Sequence, residues 1–161
     1  MFNIIKKNLP YILIAGLLVG FYFWRYRIPP KLDISEMKLA NTSGEQIFLK
    51  DLIQDSTVVH FYASWCGPCI HEMKEIRDEY VDLKKSGIKF IVITDDNPAT
   101  IKEMAARMPE DLDIYHIPSL QDAGIYTLPT TYFIHKNEMT HKQVDMIQWT
   151  DKQKLNTYFQ K

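Results

Sequence analysis

The sequence predicts an α/β fold: a central mixed sheet flanked by helices, with a hairpin opening the domain and an apolar helix ahead of it. Three observations predict it. Runs rich in β-branched and aromatic residues at 57–63, 89–94 and 127–134 read as buried strands. Between them, apolar residues recur every three to four positions, as on the inner face of an amphipathic helix. A chain of 161 residues has room for one such domain and little else.

Composition narrows the function classes. Hydrophobic residues at 46% and charged residues at 24% describe a folded globule and exclude a disordered chain. The formal net charge of -1 lacks the basic surplus of a nucleic-acid binder. There are 2 cysteines, Cys66 and Cys69, so a disulfide scaffold is excluded.

Along the chain, residues 9–24 form a run of 16 without a charge, after Lys6 and Lys7 and before Arg25. With flanking residues that reach the interface, this is long enough to span a bilayer, and residues 9–26 are expected as a transmembrane signal anchor. Tyr22, Phe23, Trp24 and Tyr26 suit an aromatic belt. Two other readings stay open. A cleaved signal peptide lacks a small-x-small site here, and a buried helix of a soluble domain does not need both faces apolar. Residues 1–8 are expected as a short cytoplasmic N-terminus, 27–31 as a stiff Pro-containing linker, and 32–161 as the domain, outside the cytoplasm.

The domain opens with strand-like 37–40 and 46–49 around the turn-rich Asn41-Thr42-Ser43-Gly44-Glu45, a hairpin pattern. Asn41-Thr42-Ser43 is also a glycosylation triplet by pattern alone. The strand at 57–63 leads straight into Trp65-Cys66-Gly67-Pro68-Cys69. A helix over 68–85 follows, with Ile70, Met73, Ile76, Tyr80 and Leu83 inward, Glu72, Lys74, Glu75 and Arg77 outward, and Ser86-Gly87 ending it. After the strand at 89–94, Asp95-Asp96-Asn97-Pro98 turns into a helix reaching about Met108. A short strand at 113–117, a helical turn at 122–126, the strand at 127–134, a partner at 140–144 and a helix at 150–160 complete the chain.

Two cysteines separated by two residues have bland readings: half a zinc site, or plain core residues. Tetrahedral zinc needs four ligands, and none of the five histidines repeats the spacing. A buried strand running into the motif and a helix starting inside it are the setting of a redox dithiol. Cys66 then sits near free N–H groups of the helix N-terminus, which favour a thiolate and make it the attacking nucleophile. Cys69, one turn further in, resolves the mixed disulfide. Pro68 fits the first turn, Gly67 leaves the approach open, and Trp65 can form part of a substrate platform.

With these residues in view, the chain from about Leu32 to the C-terminus resembles the thioredoxin superfamily. It is most similar to the membrane-anchored TlpA/ResA-like thiol–disulfide oxidoreductases of bacteria. The resemblance implies a thioredoxin-like fold and a cis-proline at Pro129, in Thr127-Leu128-Pro129-Thr130, with the Leu128 backbone pairing to substrate. It implies that Glu72 helps tune the cysteines. His60 stands where thioredoxins carry a buried Asp that moves protons to the inner cysteine; a neutral imidazole can also accept a proton, or His60 can be a satisfied core residue. Lys74 replaces a proline that kinks the helix in the family, so a straighter helix is expected.

The implied function is an anchored extracytoplasmic disulfide reductase at the bacterial cytoplasmic (inner) membrane. It is fed by a membrane or extracytoplasmic electron donor and acts on protein thiols, apocytochrome c being the family's favoured substrate. No organic cofactor or metal is expected, because the dithiol carries the two electrons. An oxidase or isomerase using the same residues, and a binding module without turnover, are the alternatives.

Overall fold

A strand buried at nearly every position from 56 to 62 has to lie inside a sheet covered on both faces. The computed structural model places it there, and describes Tyr11, residues 14–21 and residues 36–160. Its strands are β1 Lys38–Ala40, β2 Gln46–Phe48, β3 Ser56–Tyr62, β4 Lys89–Thr94, β5 Asp113–His116, β6 Thr130–His135 and β7 Glu138–Val144. The domain's helices are α1 Leu49–Leu52, α2 Gly67–Lys85, α3 Pro98–Ala105 and α4 Lys152–Tyr158. The seven strands form one mixed sheet in the order β2-β1-β5-β4-β3-β6-β7.

Half of the predicted anchor at 9–26 falls outside the described residues, and residues 1–8 and the linker at 27–31 lie wholly outside them. Residues 14–21 are helical and exposed. Among the described residues no helix is long and apolar enough to cross a membrane.

The hairpin forms as expected, β1 pairing antiparallel to β2 with Leu39 opposite Ile47. The Asn41 side-chain oxygen accepts the Ser43 and Glu45 N–H groups at 3.0 and 2.9 Å, so this asparagine closes the turn. β3, β4 and β5 are parallel, and α2 and α3 make the two crossovers. Both crossovers move the same way across the sheet. Right-handed connections therefore put α2 and α3 on one face, side by side. β6 and β7 complete the other half, antiparallel, with a bulge between Phe133 and Ile134.

α2 runs unbroken for 19 residues. It stops at Gly87, whose φ of +76° only glycine adopts freely; the Ile88 N–H then bonds the Leu83 carbonyl at 3.1 Å. Between α2 and the sheet the core is aromatic. Trp149 is fully buried, with ring centroids 5.2 Å from Phe90, 6.3 Å from His60 and 6.4 Å from Phe133.

Three elements differ from their expected form. α3 ends at Ala105, and single turns carry the chain on to Met108. Residues 120–124 are turns without a helix. β6 starts at Thr130, three residues late, because Pro129 has no N–H for the ladder and the 127–129 segment bends.

Candidate active site

Cys66 is the N-cap of α2, with extended backbone, and its Sγ accepts the Cys69 N–H at 3.2 Å. Pro68 lies in the first turn, where a missing N–H costs nothing. Cys66 and Cys69 are joined as a disulfide, with Cα atoms 5.2 Å apart. A Cβ on Gly67 would meet nothing within 4 Å. The sulfurs are less open than the sequence implies: Cys66 is only 5% exposed, against 0% for Cys69. In the disulfide the Cys66 sulfur turns inward over the helix end, so its order of access is kept but not its exposure. Trp65 stands out at 76% exposure and is not a core residue.

The loop carrying Cys66 is tied to the neighbouring strand. Asp96, just beyond β4, accepts the Ser64 N–H at 2.8 Å, the Ser64 hydroxyl at 2.7 Å and the Thr94 hydroxyl at 2.9 Å. On the other side, Phe61 pairs with Thr130, which brings Leu128 and Pro129 to the sheet end that the dithiol loop leaves from. The Leu128–Pro129 peptide is cis. The Pro129 carbonyl accepts the Asp145 N–H at 3.1 Å, and the Thr130 hydroxyl bonds the Thr127 carbonyl at 2.7 Å.

Glu72 does not lie on the outer face of α2, where its neighbours in sequence suggested; it is 1% exposed. The reason is a pair of donors that only the fold supplies. Its Oε1 accepts the Ile147 N–H at 2.9 Å and the Trp149 indole N–H at 2.8 Å. Its Oε2 faces His60 Nε2 at 4.0 Å, too far for a hydrogen bond. These two atoms are the buried side-chain polar atoms without a hydrogen-bond partner among the described residues. His60 Nδ1 and the Thr131 hydroxyl are 2.9 Å apart. Burial holds the His60 imidazole down at about 3, so it is neutral at physiological pH and makes no ion pair. Burial pushes Glu72 up to about 7, opposed by the Ile147 and Trp149 N–H groups and reinforced by Glu75. Cys69 and Glu72, three apart, share the buried face of α2, and the pair can hold or release a proton one turn from the inner sulfur.

Cys66, Cys69, Trp65, Gly67 and Pro68 thus gather at the start of α2, with Leu128 and Pro129 at the same sheet end and His60 and Glu72 beneath. Sequence reasoning missed Asp96, Thr131, Ile147 and Trp149, all of which act through pairings between distant segments. For Asp96 a signal existed: an aspartate just past a strand parallel to the one feeding the motif. Among the described residues no group of three or more His, Cys, Asp and Glu is placed to hold a metal ion.

A family model described as AhpC/TSA matches residues 31–143. The thiol-disulfide oxidoreductase ResA of Bacillus cereus is 24% identical over 146 residues, covering 88% of this chain and 83% of that protein. Among solved structures, StoA from Bacillus subtilis superposes with a TM-score of 0.59 at 18% identity, over 79% of this chain and 98% of that one. The exposed lipoprotein thioredoxin of Streptococcus pneumoniae does so with a TM-score of 0.58 at 19% identity, over 76% and 96%. Both show the same thioredoxin-like fold.

Proposed function

The chain belongs to the AhpC/TSA family, and on that premise we propose that it is a membrane-anchored, extracytoplasmic thiol–disulfide oxidoreductase that reduces disulfides in protein substrates. The observation that carries this reading is the Cys66–Cys69 disulfide at the N-cap of a long helix, with the outer sulfur on a helix N–H. The name of the Bacillus cereus relative supports it. The anchor and its location rest on the apolar run and its flanking charges.

In the reduced protein, the Cys66 thiolate attacks one sulfur of a substrate disulfide. The S–S bond breaks, a Cys66–substrate disulfide forms, and the other substrate sulfur leaves as a thiolate. Cys69 then gives up its proton and attacks Cys66 Sγ. The Cys66–Cys69 bond forms and the second substrate sulfur departs. Two electrons have passed to the substrate, and two protons complete its thiols. A dithiol electron donor on the same side of the membrane returns the site to its reduced form. The proposed acceptor of the Cys69 proton is Glu72, three residues further along the buried face of α2, with His60 beside it at 4.0 Å. Trp65 and the Leu128 backbone form the platform for the substrate strand. An apocytochrome c with a Cys-x-x-Cys-His pair is a substrate of the required kind.

The test is a trap. Cys69→Ser should accumulate a mixed disulfide between Cys66 and its substrate, whose identity mass spectrometry reads, and Cys66→Ser should abolish turnover. A Cys66→Ser protein that retains full function would make this a binding module. The direction is read from the reduction potential: a value near about -270 mV supports a reductase, and one near about -120 mV would assign an oxidase instead.

A further inference from the structure

Beside the dithiol, between α2 and α3, is a cavity of about 240 Å³ that the exchange chemistry does not use. We propose that it selects the substrate polypeptide, taking an apolar side chain next to a carboxylate, two or three residues from the cysteine joined to Cys66. This rests on the exchange activity proposed above and names what that activity acts on.

Its position ties it to the dithiol. Ser64 and Ile70 are both in its wall, one two residues before Cys66 and the other directly after Cys69. Two residues of extended chain span about 7 Å, so a chain bonded to Cys66 reaches this wall with its near neighbours. Ile70 belongs by sequence to the apolar face of α2, yet it is 41% exposed, because no element covers it and it borders the cavity.

The wall has two chemistries. Met73 of α2 meets Met104 and Met108 from the α3 side, and thioethers adapt to apolar side chains of varied shape. Around them stand Lys74, Arg77 and Arg107 against one carboxylate, Glu103. Arg77 bonds its neighbour Asp78 at 3.0 Å, while Lys74 and Arg107 make no ion pair among the described residues. The further carboxylate near Tyr62, Asp96, has both oxygens engaged by Ser64 and Thr94. Tyr62 also lines the cavity. It is 6% exposed, and its hydroxyl has no hydrogen-bond partner among the described residues. Burial raises its pKa further, so it stays a donor. A hydroxyl donor on the cavity wall, with two unpaired cations in the same lining, fits a carboxylate, since charge-assisted hydrogen bonds are the strong ones.

The full-length reduced protein is given two disulfide-bonded peptides that differ only two residues from the cysteine, one carrying Leu-Glu and the other Gly-Lys. 2-Hydroxyethyl disulfide, small and neutral, is assayed alongside. The Leu-Glu peptide should have a kcat/KM about tenfold higher, the worth of one charge-assisted hydrogen bond. Arg107→Glu should remove that preference, and Tyr62→Phe should narrow it. Arg107→Gln, a milder change at an exposed position, keeps the test open if charge reversal disturbs folding. Equal rates for the two peptides, with 2-hydroxyethyl disulfide still reduced, overturn the site and leave the exchange activity standing. A preference that survives all three substitutions also overturns it. If dodecanoate binds in the cavity while the two peptides react equally, the occupant is a free amphiphile and the proposal is wrong. Failure to reduce any of the three disulfides overturns the exchange reading itself, and the site with it.

Discussion

Glu72 and His60 meet as a carboxyl held near neutrality and an imidazole that resists its proton, and the two titrate in opposite senses. His60 has a folded value of about 3 against an ordinary 6.5. Its contribution to stability is complete above 6.5 and drains away as pH falls toward 3, since the unfolded imidazole binds the proton first. Glu72 has a folded value of about 7 against an ordinary 4.5. Its contribution is complete below 4.5 and is lost as pH rises to 7. Between 4.5 and 6.5 the two slopes oppose one another. The oxidised protein is therefore expected to show nearly flat stability across that window, falling off on either side. Glu72→Gln keeps an acceptor for Ile147 and Trp149 but removes the upper titration, so its stability should climb through the same window. Urea unfolding at a series of pH values measures this, and superimposable profiles for the two proteins would sink it. Glu72→Ala is a different case. It leaves two buried donors without an acceptor, at a cost of about 1–3 kcal/mol each, and should lower the melting temperature at every pH.

At the scale of elements, the dithiol depends on strand ends as much as on its own helix. α2 supplies the N-cap, but the loop from β3 is fixed by Asp96, which follows β4. Asp96→Ala removes the acceptor for two Ser64 groups and one Thr94 hydroxyl. It should cost about 1–3 kcal/mol in stability and slow the attack of Cys66 on a small disulfide. Asp96→Asn, which can still accept, should lie between the two. If Asp96→Ala melts with the wild type and reacts at the same rate, the loop is held by something else. What the sequence made legible follows the same division. β3, α2 and β4 were readable because β-branched runs and three-to-four spacing are local signals, and the dithiol because both cysteines fall in one short motif. Glu72 was placed on the wrong face of α2. Its charge groups it with Lys74, Glu75 and Arg77 although it stands three residues after Cys69 and four before Ile76, and nothing within the helix announces that Ile147 and Trp149, more than seventy residues away, offer it donors. The same holds for the pairing of His60 with Thr131 across the β3–β6 ladder.

For the molecule as a whole, the proposed anchor makes a prediction of its own. The full chain should remain with membranes through an alkaline carbonate wash and leave them only in detergent, because a spanning run of 16 uncharged, mostly apolar residues partitions too strongly for peripheral attachment. Recovery in the carbonate supernatant would show that residues 9–26 are cleaved or do not span. The sheet adds a constraint that concerns bystanders. A protein that reduces disulfides in other chains, as proposed above, meets many extended segments, and an open sheet edge would bind them indiscriminately. The two edges here are β2 and β7. β2 offers only three residues, with the Lys38 and Lys50 ammonium groups over the Phe48 ring at 5.6 and 5.0 Å. β7 is interrupted by the bulge at Phe133/Ile134 and presents exposed Lys142. Short, charged and kinked borders discourage strand addition, so a client chain is steered away from the rim and toward the loop end of the sheet, where the sulfurs are.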